Sequence, residues 1–364
     1  GPMSVEVPEG LTAGGVLDIW QQPITDMGQT GPDKGAGGKY LILPPGSPDM
    51  DAPGYTVFRA PSNQIWFGTR GLDPDKAVAE ATLRKFNIYG WNQRDRPAPT
   101  KFLEVGGRAW QSAQPDTLEY WKLLNELYAN EPVAPRDRVM FGMLRSLGIA
   151  PGTPFNPDAR QARILTDAAK LGELMARTIA YDKRYAGATV YPSKRWEYAV
   201  LFDLDQEAPD KTRVQFDERS SWFYEAIGMS VGMQGRIVGF GQVYLETSRD
   251  RDGNWLDGGK TYRLRMDPNP PVRQFWSITL YDNVTRGPLV TPQGAADLSS
   301  RNPDLVKNAD GSLDVYFGPE RPANAANWIR TMPGQGWFPY FRFYAATEAY
   351  FDKSWQLNDI ELVK

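Results

Sequence analysis

Short apolar runs separated by turn residues characterise the first part of the chain. Lys39–Leu43, Tyr55–Arg59 and Gln64–Gly68 are three such runs, and proline, glycine, serine and asparagine occupy the positions between them. Runs of this length and spacing are typical of β-strands joined by tight turns. One short helix is predicted after Asp73. The pattern therefore predicts a β domain over residues 4–112.

After residue 113 the apolar residues recur at every third or fourth position, which is the period of a helix with one apolar face. Pro132, Pro135 and Gly148 interrupt this pattern and predict helix ends. The first predicted helix starts at Asp116, where Glu119 completes a capping box. A second covers Arg136–Leu147, and a fourth covers Asp217–Met229. The third starts at Asp158 and is long, and the apolar residues on one of its faces are Ile164, Ala168, Leu171, Met175 and Ile179. Residues 113–234 are therefore predicted to be a helical region.

Strand patterns return after residue 235. The predicted strands are Val238–Leu245, Thr261–Met266, Phe275–Tyr281, Leu313–Phe317 and Trp337–Tyr344. Short strands joined by turn-rich connections indicate a β-sandwich of jelly-roll type over residues 235–364. The predicted fold class is therefore α+β and β-rich, with an N-terminal β domain, a central helical region and a C-terminal sandwich.

The balance of charge excludes one class of function. The chain of 364 residues has 41 Lys and Arg against 44 Asp and Glu, a net charge of −3. Without a broad positive field, nucleic acid is not an expected partner. No apolar run reaches the ~18 residues that a membrane-spanning helix needs, so membrane insertion is not expected. A small molecule is the expected partner, and the oligomeric state stays open.

The absence of two residue types restricts the chemistry. The chain contains neither cysteine nor histidine. A Ser-His-Asp triad, a thiolate nucleophile and a zinc–thiolate site are therefore impossible. Acid–base chemistry must use Asp, Glu, Tyr or Lys, and a metal site must be built from oxygen ligands, which favours Ca²⁺ or Mg²⁺. No other cofactor is predicted.

Two short motifs resemble functional sites without the context that those sites need. Gly228–Gly232 matches the Gly-x-Ser-x-Gly pattern of esterases, but a predicted helix precedes Ser230 and no histidine can activate it. Ser230 is therefore not expected to be a nucleophile. Gly31–Lys39 resembles a phosphate-binding loop, yet Tyr40 stands where that loop needs Ser or Thr. A flexible hairpin is predicted there instead.

A group of acidic residues between two predicted strands offers a candidate cation site. Its oxygen-bearing residues are Asp250, Asp252, Asn254 and Asp257. Their spacing fits the first half of a calcium loop, but Trp255 stands where that loop needs glycine and Thr261 where it needs glutamate. Because Asp and Asn also stabilise turns, a hairpin explains these residues equally well. Binding of Ca²⁺ or Mg²⁺ and a plain turn both stay open.

Two of the predicted C-terminal strands carry one apolar and one polar-aromatic face. The polar-aromatic residues are Ser277, Thr279 and Tyr281 on one strand, and Tyr340, Arg342 and Tyr344 on the other. A solvated sheet face explains them, and so does the wall of a ligand site. In the second interpretation Arg342 binds a carboxylate or similar oxyanion, while Tyr340 or Tyr344 transfers a proton. Tyr281 and Asp282 complete the candidate catalytic set, with Asp282 either the counter-ion of Arg342 or a base beside it.

Longer motifs resemble a known bacterial family. Gly35–Gly46 resembles the core of the domain of unknown function 1254. The segments Phe275–Asp282, Asn308–Leu313, Asn327-Trp328 and Phe351–Trp355 resemble the domain 1214 that accompanies it, and the helical-region segments Glu131–Arg138 and Gly148–Asp158 fit as well. The resemblance covers nearly the whole chain.

This family resemblance implies a β-rich N-terminal domain, a helical insert and a C-terminal jelly roll. It implies an exported protein in the periplasm or outside the cell, although the cytoplasm stays open, and it supplies no catalytic residues. Family members carry a further segment before Val5–Pro8, so the N-terminal domain is expected to lack its first strands. The first residues, Gly1-Pro2-Met3, are interpreted as the remnant of a protease cleavage site and are left out of the fold prediction.

Three functions remain as alternatives. The first is an enzyme of hydrolase or lyase type that acts on a small organic molecule, for which a buried carboxylate within reach of Arg or Tyr would be the sign. The second is a binding protein for a small or carbohydrate-like ligand, which predicts an aromatic-lined cleft. The third is a structural module of the cell envelope, which predicts a large exposed apolar patch.

Overall fold

The computed structural model describes residues 1–105, 113–234 and 237–363, and the predicted α+β, β-rich fold is confirmed. The strands are β1 (Met3–Val7), β2 (Thr12–Asp18), β3 (Pro23–Gly28), β4 (Gly38–Leu43), β5 (Thr56–Arg59), β6 (Ile65–Gly71), β7 (Asn87–Gly90), β8 (Glu197–Tyr198), β9 (Gln242–Glu246), β10 (Tyr262–Met266), β11 (Val272–Asp282), β12 (Asp297–Ser299), β13 (Leu313–Gly318), β14 (Asn327–Arg330), β15 (Trp337–Ala346) and β16 (Ile360–Leu362). The helices are α1 (Lys76–Leu83), α2 (Leu118–Tyr128), α3 (Arg138–Ser146), α4 (Ala159–Tyr181), α5 (Phe216–Glu225), α6 (Val231–Gln234) and α7 (Glu348–Phe351).

The chain divides into two compact units, and each is described by itself. The first unit consists of the described residues within 1–110, 114–175 and 228–231. The second consists of those within 111–113, 176–227 and 232–364. The predicted region boundaries involve residues 112 and 235, which lie outside the described residues.

Two sheets share the core of the first unit. One has the strand order β5-β4-β1-β7 and the other has the order β3-β2-β6. Both contribute to one apolar cluster, in which Val5, Val16, Met27 and Ile42 are buried. The three runs predicted as strands in this region form β4, β5 and β6. The strands β2 and β3 had no prediction, because glycine-rich segments show little alternation of apolar and polar residues.

The first strand corrects the interpretation of the opening residues. Met3 begins β1 and pairs with Ile42 of β4 and Gly90 of β7. The carbonyl oxygen of Pro2 accepts a hydrogen bond from the backbone nitrogen of Trp91 at 2.9 Å. Leaving Met3 out of the fold prediction was wrong, because it belongs to an inner strand that pairs with β4 on one side and β7 on the other.

The helices of the first unit begin near their predicted residues. The side chain of Thr117, rather than Asp116, caps α2 by accepting a hydrogen bond from Glu119 N at 3.3 Å. Asp158 accepts a hydrogen bond from Gln161 N at 2.7 Å and begins α4 as predicted. On α4 the predicted apolar stripe is largely exposed, with Leu171 at 58%. No helix in the described part of the chain, α4 included, combines the length and the apolar composition of a bilayer-crossing segment.

The predicted helical region is less continuous than its apolar period indicates. Residues 182–215 contain no helix and form turns around the short strand β8. The helix predicted over Asp217–Met229 ends at Glu225, and Gly228 beyond it has a φ of 76°, in the left-handed region that glycine favours. Ser230 therefore follows a loop, and no strand precedes it.

Two sheets face each other across the core of the second unit, as the sandwich prediction requires. Their strand orders are β14-β13-β10-β16 and β12-β11-β15-β9-β8. Leu264 and Val315 of the first sheet are buried together with Ile278 and Phe341 of the second. The pair β13 and β14 is parallel, while the other pairs in these sheets are antiparallel.

The strand predicted over Val238–Leu245 is shorter in the structure. β9 starts at Gln242, because Gly239 and Gly241 have φ values of 74° and 65° and form a turn before it.

Replacing Phe341 by alanine tests the core of the sandwich. The Phe341 side chain is fully buried, and its ring centroid lies 5.6 Å from that of Trp276 and 4.8 Å from that of Phe343. We expect Phe341→Ala to lower the free energy of unfolding by about 3–5 kcal/mol, measured by urea denaturation. Phe216→Ala is the matched control, because Phe216 is 48% exposed. Equal losses for the two variants would contradict this core.

Candidate functional site

The polar-aromatic faces of β11 and β15 lie on the same side of the five-stranded sheet. Thr279 pairs with Tyr340, and Ser277 pairs with Arg342. Directly paired residues of antiparallel strands point to the same face. The opposite face carries Ile278 and the other apolar residues of the sandwich core. Alternation along each strand therefore predicted both faces.

Arg342 lies among tyrosines on this outer face. Its guanidinium donates hydrogen bonds to Thr279 Oγ1 at 3.1 Å and to the hydroxyl of Tyr281 at 2.7 Å. Its central carbon lies 5.2 Å from the ring centroids of Tyr244 and Tyr340. Within the described residues Arg342 forms no ion pair, so hydroxyl groups and ring faces hold its charge.

Two other predicted site residues contact different groups. The Tyr344 ring stacks on Phe275 with centroids 3.9 Å apart. Asp282 is the last residue of β11, and its Oδ1 accepts hydrogen bonds from Val284 N at 2.9 Å and Thr285 N at 2.6 Å. These bonds close the turn after the strand. The structure thus does not bring the Asp282 carboxylate to Arg342, contrary to the expectation of a counter-ion.

A buried lysine on the same side of the sheet gathers three carboxylates. The Lys183 side chain is 0% exposed, and its Nζ lies 3.2 Å from Glu225 Oε1 and 3.8 Å from Glu197 Oε2. The same Nζ contacts Glu246 Oε1, and it donates a hydrogen bond to the carbonyl oxygen of Ala180 at 2.6 Å. One buried positive charge therefore faces three acidic groups, and we call these four residues the Lys183 cluster.

Burial changes the protonation of this cluster. It raises the pKa of Glu225 to about 7, against the opposing effects of Lys183 and a hydrogen bond from Tyr340. Burial also raises the pKa of Glu197, and again Lys183 opposes it. A carboxyl group that titrates near neutral pH can accept and donate protons under physiological conditions. The cluster thus contains one carboxyl group, that of Glu225, with a pKa in the range where histidine ordinarily titrates.

Tyr340 joins Arg342 to the Lys183 cluster. Its hydroxyl donates a hydrogen bond to Glu225 Oε2 at 2.7 Å, in a fully buried environment. Burial raises the pKa of Tyr340 well above its usual value, so the hydroxyl stays a donor. Of the predicted site residues, Tyr340 is the one that directly contacts a carboxylate of the Lys183 cluster.

Secondary structure explains how residues distant in sequence meet here. Glu246 on β9 pairs with Tyr340 of β15 on one side and with Glu197 of β8 on the other. Glu225 is the last residue of α5, and Lys183 follows the end of α4. Sequence reasoning missed all four residues of the cluster. In β9, Val243 and Leu245 enter the core, so alternation could have placed Glu246 on the opposite, polar-aromatic face of the sheet. No pattern in the irregular segment 182–215 indicated a role for Lys183 or Glu197.

A polar cavity of about 160 Å³ lies beside the Lys183 cluster. Its lining includes Tyr181, Asp182, Lys194, Arg195, Glu197 and Arg249. Glu197 therefore belongs both to the cavity wall and to the cluster. The hydroxyl of Tyr181 is buried without a hydrogen-bond partner within the described residues, and burial raises its pKa. The wall of this cavity thus contains a titratable carboxyl group, whereas the Tyr181 hydroxyl itself is buried away from the cavity space.

The charges around this cavity favour an anion. Arg249 pairs with Asp182 at 3.1 Å and lies over the Trp255 ring at 4.2 Å. That pair is neutral, so Lys194 and Arg195 remain against Glu197. The lining then carries a net charge of +1 when Glu197 is ionised and of +2 when Glu197 is protonated. A small carboxylate fits this balance.

The candidate cation residues form a turn between β9 and β10. Asp250 Oδ1 accepts hydrogen bonds from Asn254 N at 2.9 Å and from its side chain at 3.3 Å. Asp257 Oδ1 accepts one from Gly259 N at 2.9 Å, and the side chain of Asp252 is exposed. Over residues 1–105, 113–234 and 237–363, no group of three acidic side chains is arranged to hold a metal ion. Cation binding here stays a prediction.

Replacing Lys183 by methionine tests the electrostatics of the cluster. Without this cation, Glu225 and Glu246 would stay buried without their positive partner, which costs about 3–5 kcal/mol. We expect that loss at pH 8, measured by urea denaturation, and a clearly smaller loss at pH 5.5, where Glu225, with a pKa of about 7, is protonated and needs no cation. Lys307→Met on the surface is the control, with a change below about 0.5 kcal/mol. Equal losses at the two pH values would contradict this assignment.

The raised pKa of Glu225 also predicts a pH dependence of stability. From pH 4.5, the usual pKa of Glu, to about pH 7, the folded chain keeps a proton that the unfolded chain releases. The free energy of unfolding therefore falls as pH rises through this window and levels off above it. We expect Glu225→Gln to flatten this decline in urea denaturation at several pH values. A variant with an unchanged slope would show that Glu225 does not titrate in this window.

Two solved structures resemble this chain to different degrees. The VPA0106 protein of Vibrio parahaemolyticus, solved by crystallography, has 18% identity and a TM-score of 0.58, over 100% of this chain and 86% of its own. An uncharacterised protein of Burkholderia cenocepacia has 12% identity and a TM-score of 0.37, over 100% of this chain and 72% of its own. The first likeness shows a common fold and nothing about activity. A search of curated proteins finds no match.

Two family descriptions match the ends of the chain. Residues 1–90 match "Protein of unknown function (DUF1254)", and residues 241–348 match "Protein of unknown function (DUF1214)". The second range includes β9, β11 and β15, and with them Glu246, Tyr340 and Arg342 of the outer sheet face. The chain belongs to the family that carries domain 1254 at its N-terminus and domain 1214 at its C-terminus.

Proposed function

We propose that this chain is an enzyme of hydrolase or lyase type that acts, in the cavity beside Glu197, on a small hydroxy acid or on an ester of its hydroxyl group that keeps the free carboxylate. One observation carries the proposal: a carboxyl group with a raised pKa lines a polar cavity and shares a buried lysine with a second carboxyl group whose pKa is about 7. Perturbed carboxyl groups in a cleft are typical of acid–base catalysis.

The proposed substrate class follows from the charge and size of the cavity. Lys194 and Arg195 line the cavity and supply positive charge for a carboxylate. A volume of about 160 Å³ is below the ~300 Å³ at which drug-sized sites begin, so the substrate has few carbon atoms.

In this proposal Glu197 is the group that exchanges a proton with the substrate. As a base it takes a proton from the carbon beside a carboxylate or from an attacking water molecule, and as an acid it returns one to the leaving group. Lys183 stabilises the ionised form of Glu197, and protonation of Glu225 changes the charge that Lys183 must balance. Tyr340 and Arg342 are positioning residues, because they act on the cavity through Glu225.

Binding of glycolate, a two-carbon hydroxy acid, is the first test. We expect glycolate to shift the carboxyl ¹³C signal of Glu197 in a saturable way and to raise its pKa further, because a bound carboxylate is a like charge. The signal is assigned by its absence in Glu197→Gln, and Glu348, on the exposed start of α7, is the control carboxyl group. No shift at Glu197, or equal shifts at both residues, would remove the cavity as a ligand site.

Turnover is the second test. Two- to four-carbon 2-hydroxy acids and their O-acetyl esters, which keep the free carboxylate, are incubated in D₂O and followed by ¹H NMR, which detects both exchange of the carbon-bound proton and ester hydrolysis. We expect one of these reactions, with a loss of about 10²–10⁴-fold in Glu197→Gln and an unchanged rate in Glu348→Gln. If glycolate binds but no member of the panel reacts, the enzymatic proposal fails and the site is a binding site.

A further inference from the structure

A second cavity of the second unit lies at the edges of both sheets. It measures about 380 Å³, and its wall includes Leu298 of the edge strand β12 and Trp328 of the edge strand β14. None of the residues of the Lys183 cluster lines it. Its volume falls within the ~300–1,000 Å³ of typical small-molecule sites.

We propose that this cavity binds a neutral carbohydrate, a mono- or disaccharide. A sugar ring presents two kinds of surface: a C–H face that packs on an aromatic ring, and adjacent hydroxyls that both donate and accept hydrogen bonds. The cavity wall has a group for each surface. The Trp328 indole can pack on the C–H face, and the side chains of Asn302, Asp304 and Arg321 can form hydrogen bonds with the hydroxyls.

The hydrogen-bonding capacity of these polar groups is only partly used. Arg321 donates from Nε to Ala325 O at 2.8 Å and from Nη2 to Ala326 O at 2.9 Å, which fixes the guanidinium and leaves Nη1 for a ligand. Asn302 Oδ1 accepts hydrogen bonds from Ser299, which leaves its amide hydrogens. The Asp304 carboxylate forms no hydrogen bond or ion pair to any described residue. Two sets of donors and one strong acceptor thus surround one cavity.

The Trp328 ring is held in place on the wall. Its Nε1 donates a hydrogen bond to Gly318 O at 3.1 Å, so the indole N–H is already committed. The Arg330 guanidinium lies over the Trp328 ring, 5.5 Å from its centroid. Trp328 then serves the cavity through the ring surface that Arg330 does not cover, and Leu298 and Val306 extend this apolar area. Restrained aromatic rings bind ligands at a low cost in conformational entropy.

Charge and backbone pairing argue against other ligands. The charges of Asp304 and Arg321 cancel, so the wall favours neither an anion nor a cation. A peptide strand adding to the edge of β14 would need its free backbone groups, but the Gln293 side chain takes two of them. It donates to Trp328 O at 3.0 Å and accepts from Arg330 N at 2.7 Å. Such capping blocks strand addition.

The test uses the full chain labelled with 5-fluorotryptophan and titrated with glucose, galactose, mannose, N-acetylglucosamine and lactose. We expect at least one sugar to shift the ¹⁹F signal of Trp328 in a saturable way, with a dissociation constant in the micromolar to millimolar range. Trp328→Phe assigns that signal. Trp66, which lies in the first unit and is 45% exposed, is the internal control and should not move.

Two variants complete the design. Asp304→Asn keeps the size of an exposed side chain and removes its charge, and we expect it to weaken sugar binding at least tenfold. Glu197→Gln should leave sugar binding unchanged, so this site succeeds or fails independently of the proposed enzyme. If no sugar of the panel shifts the Trp328 signal, or if Trp66 shifts equally, the proposal is overturned.

Discussion

A single buried ammonium group is the constraint on which the second unit depends. Lys183 holds Glu225 from the end of α5 and Glu246 from β9, and it lies near Glu197 of β8. Removing these charges from water is costly, and the cost is recovered only when every partner stays in position. The cluster therefore ties a helix, an irregular segment and a sheet to one geometry. The burial of this cluster raises the pKa values of Glu225 and Glu197, against the opposing effect of Lys183.

The five-stranded sheet explains why such a cluster exists. One face of β11 and β15 packs into the aromatic core of the sandwich, while the opposite face is covered by tyrosines and by the side chains of α5. A covered sheet face would ordinarily be apolar. Here Arg342 and Tyr340 stand on it, and hydroxyl groups, ring faces and the Lys183 cluster satisfy them. The polar face is thus an interior layer of the second unit.

A chain without histidine must obtain groups that titrate near neutral pH by other means. Burial achieves this at Glu225, because a carboxylate that loses its water is harder to ionise. The neighbouring lysine limits the shift, so the pKa comes to about 7 rather than higher. The cavity proposed to bind a sugar contains different groups, since its lining has Asp304 and an Arg321 that is held by two backbone carbonyl oxygens.

By itself the sequence determined the β-rich class, the sandwich strands and the two faces of β11 and β15, because alternation along a strand is a local property. The absence of histidine and cysteine likewise restricted any acid–base chemistry to Asp, Glu, Tyr and Lys. Local patterns also misled: Asp282 looked like a counter-ion for Arg342 but closes its own turn, and β1 went unrecognised because its pairing with β4 and β7 is not local. Only the tertiary structure brought Lys183, Glu197, Glu225 and Glu246 together, since strand pairing and helix ends place them and no spacing along the chain encodes their contact.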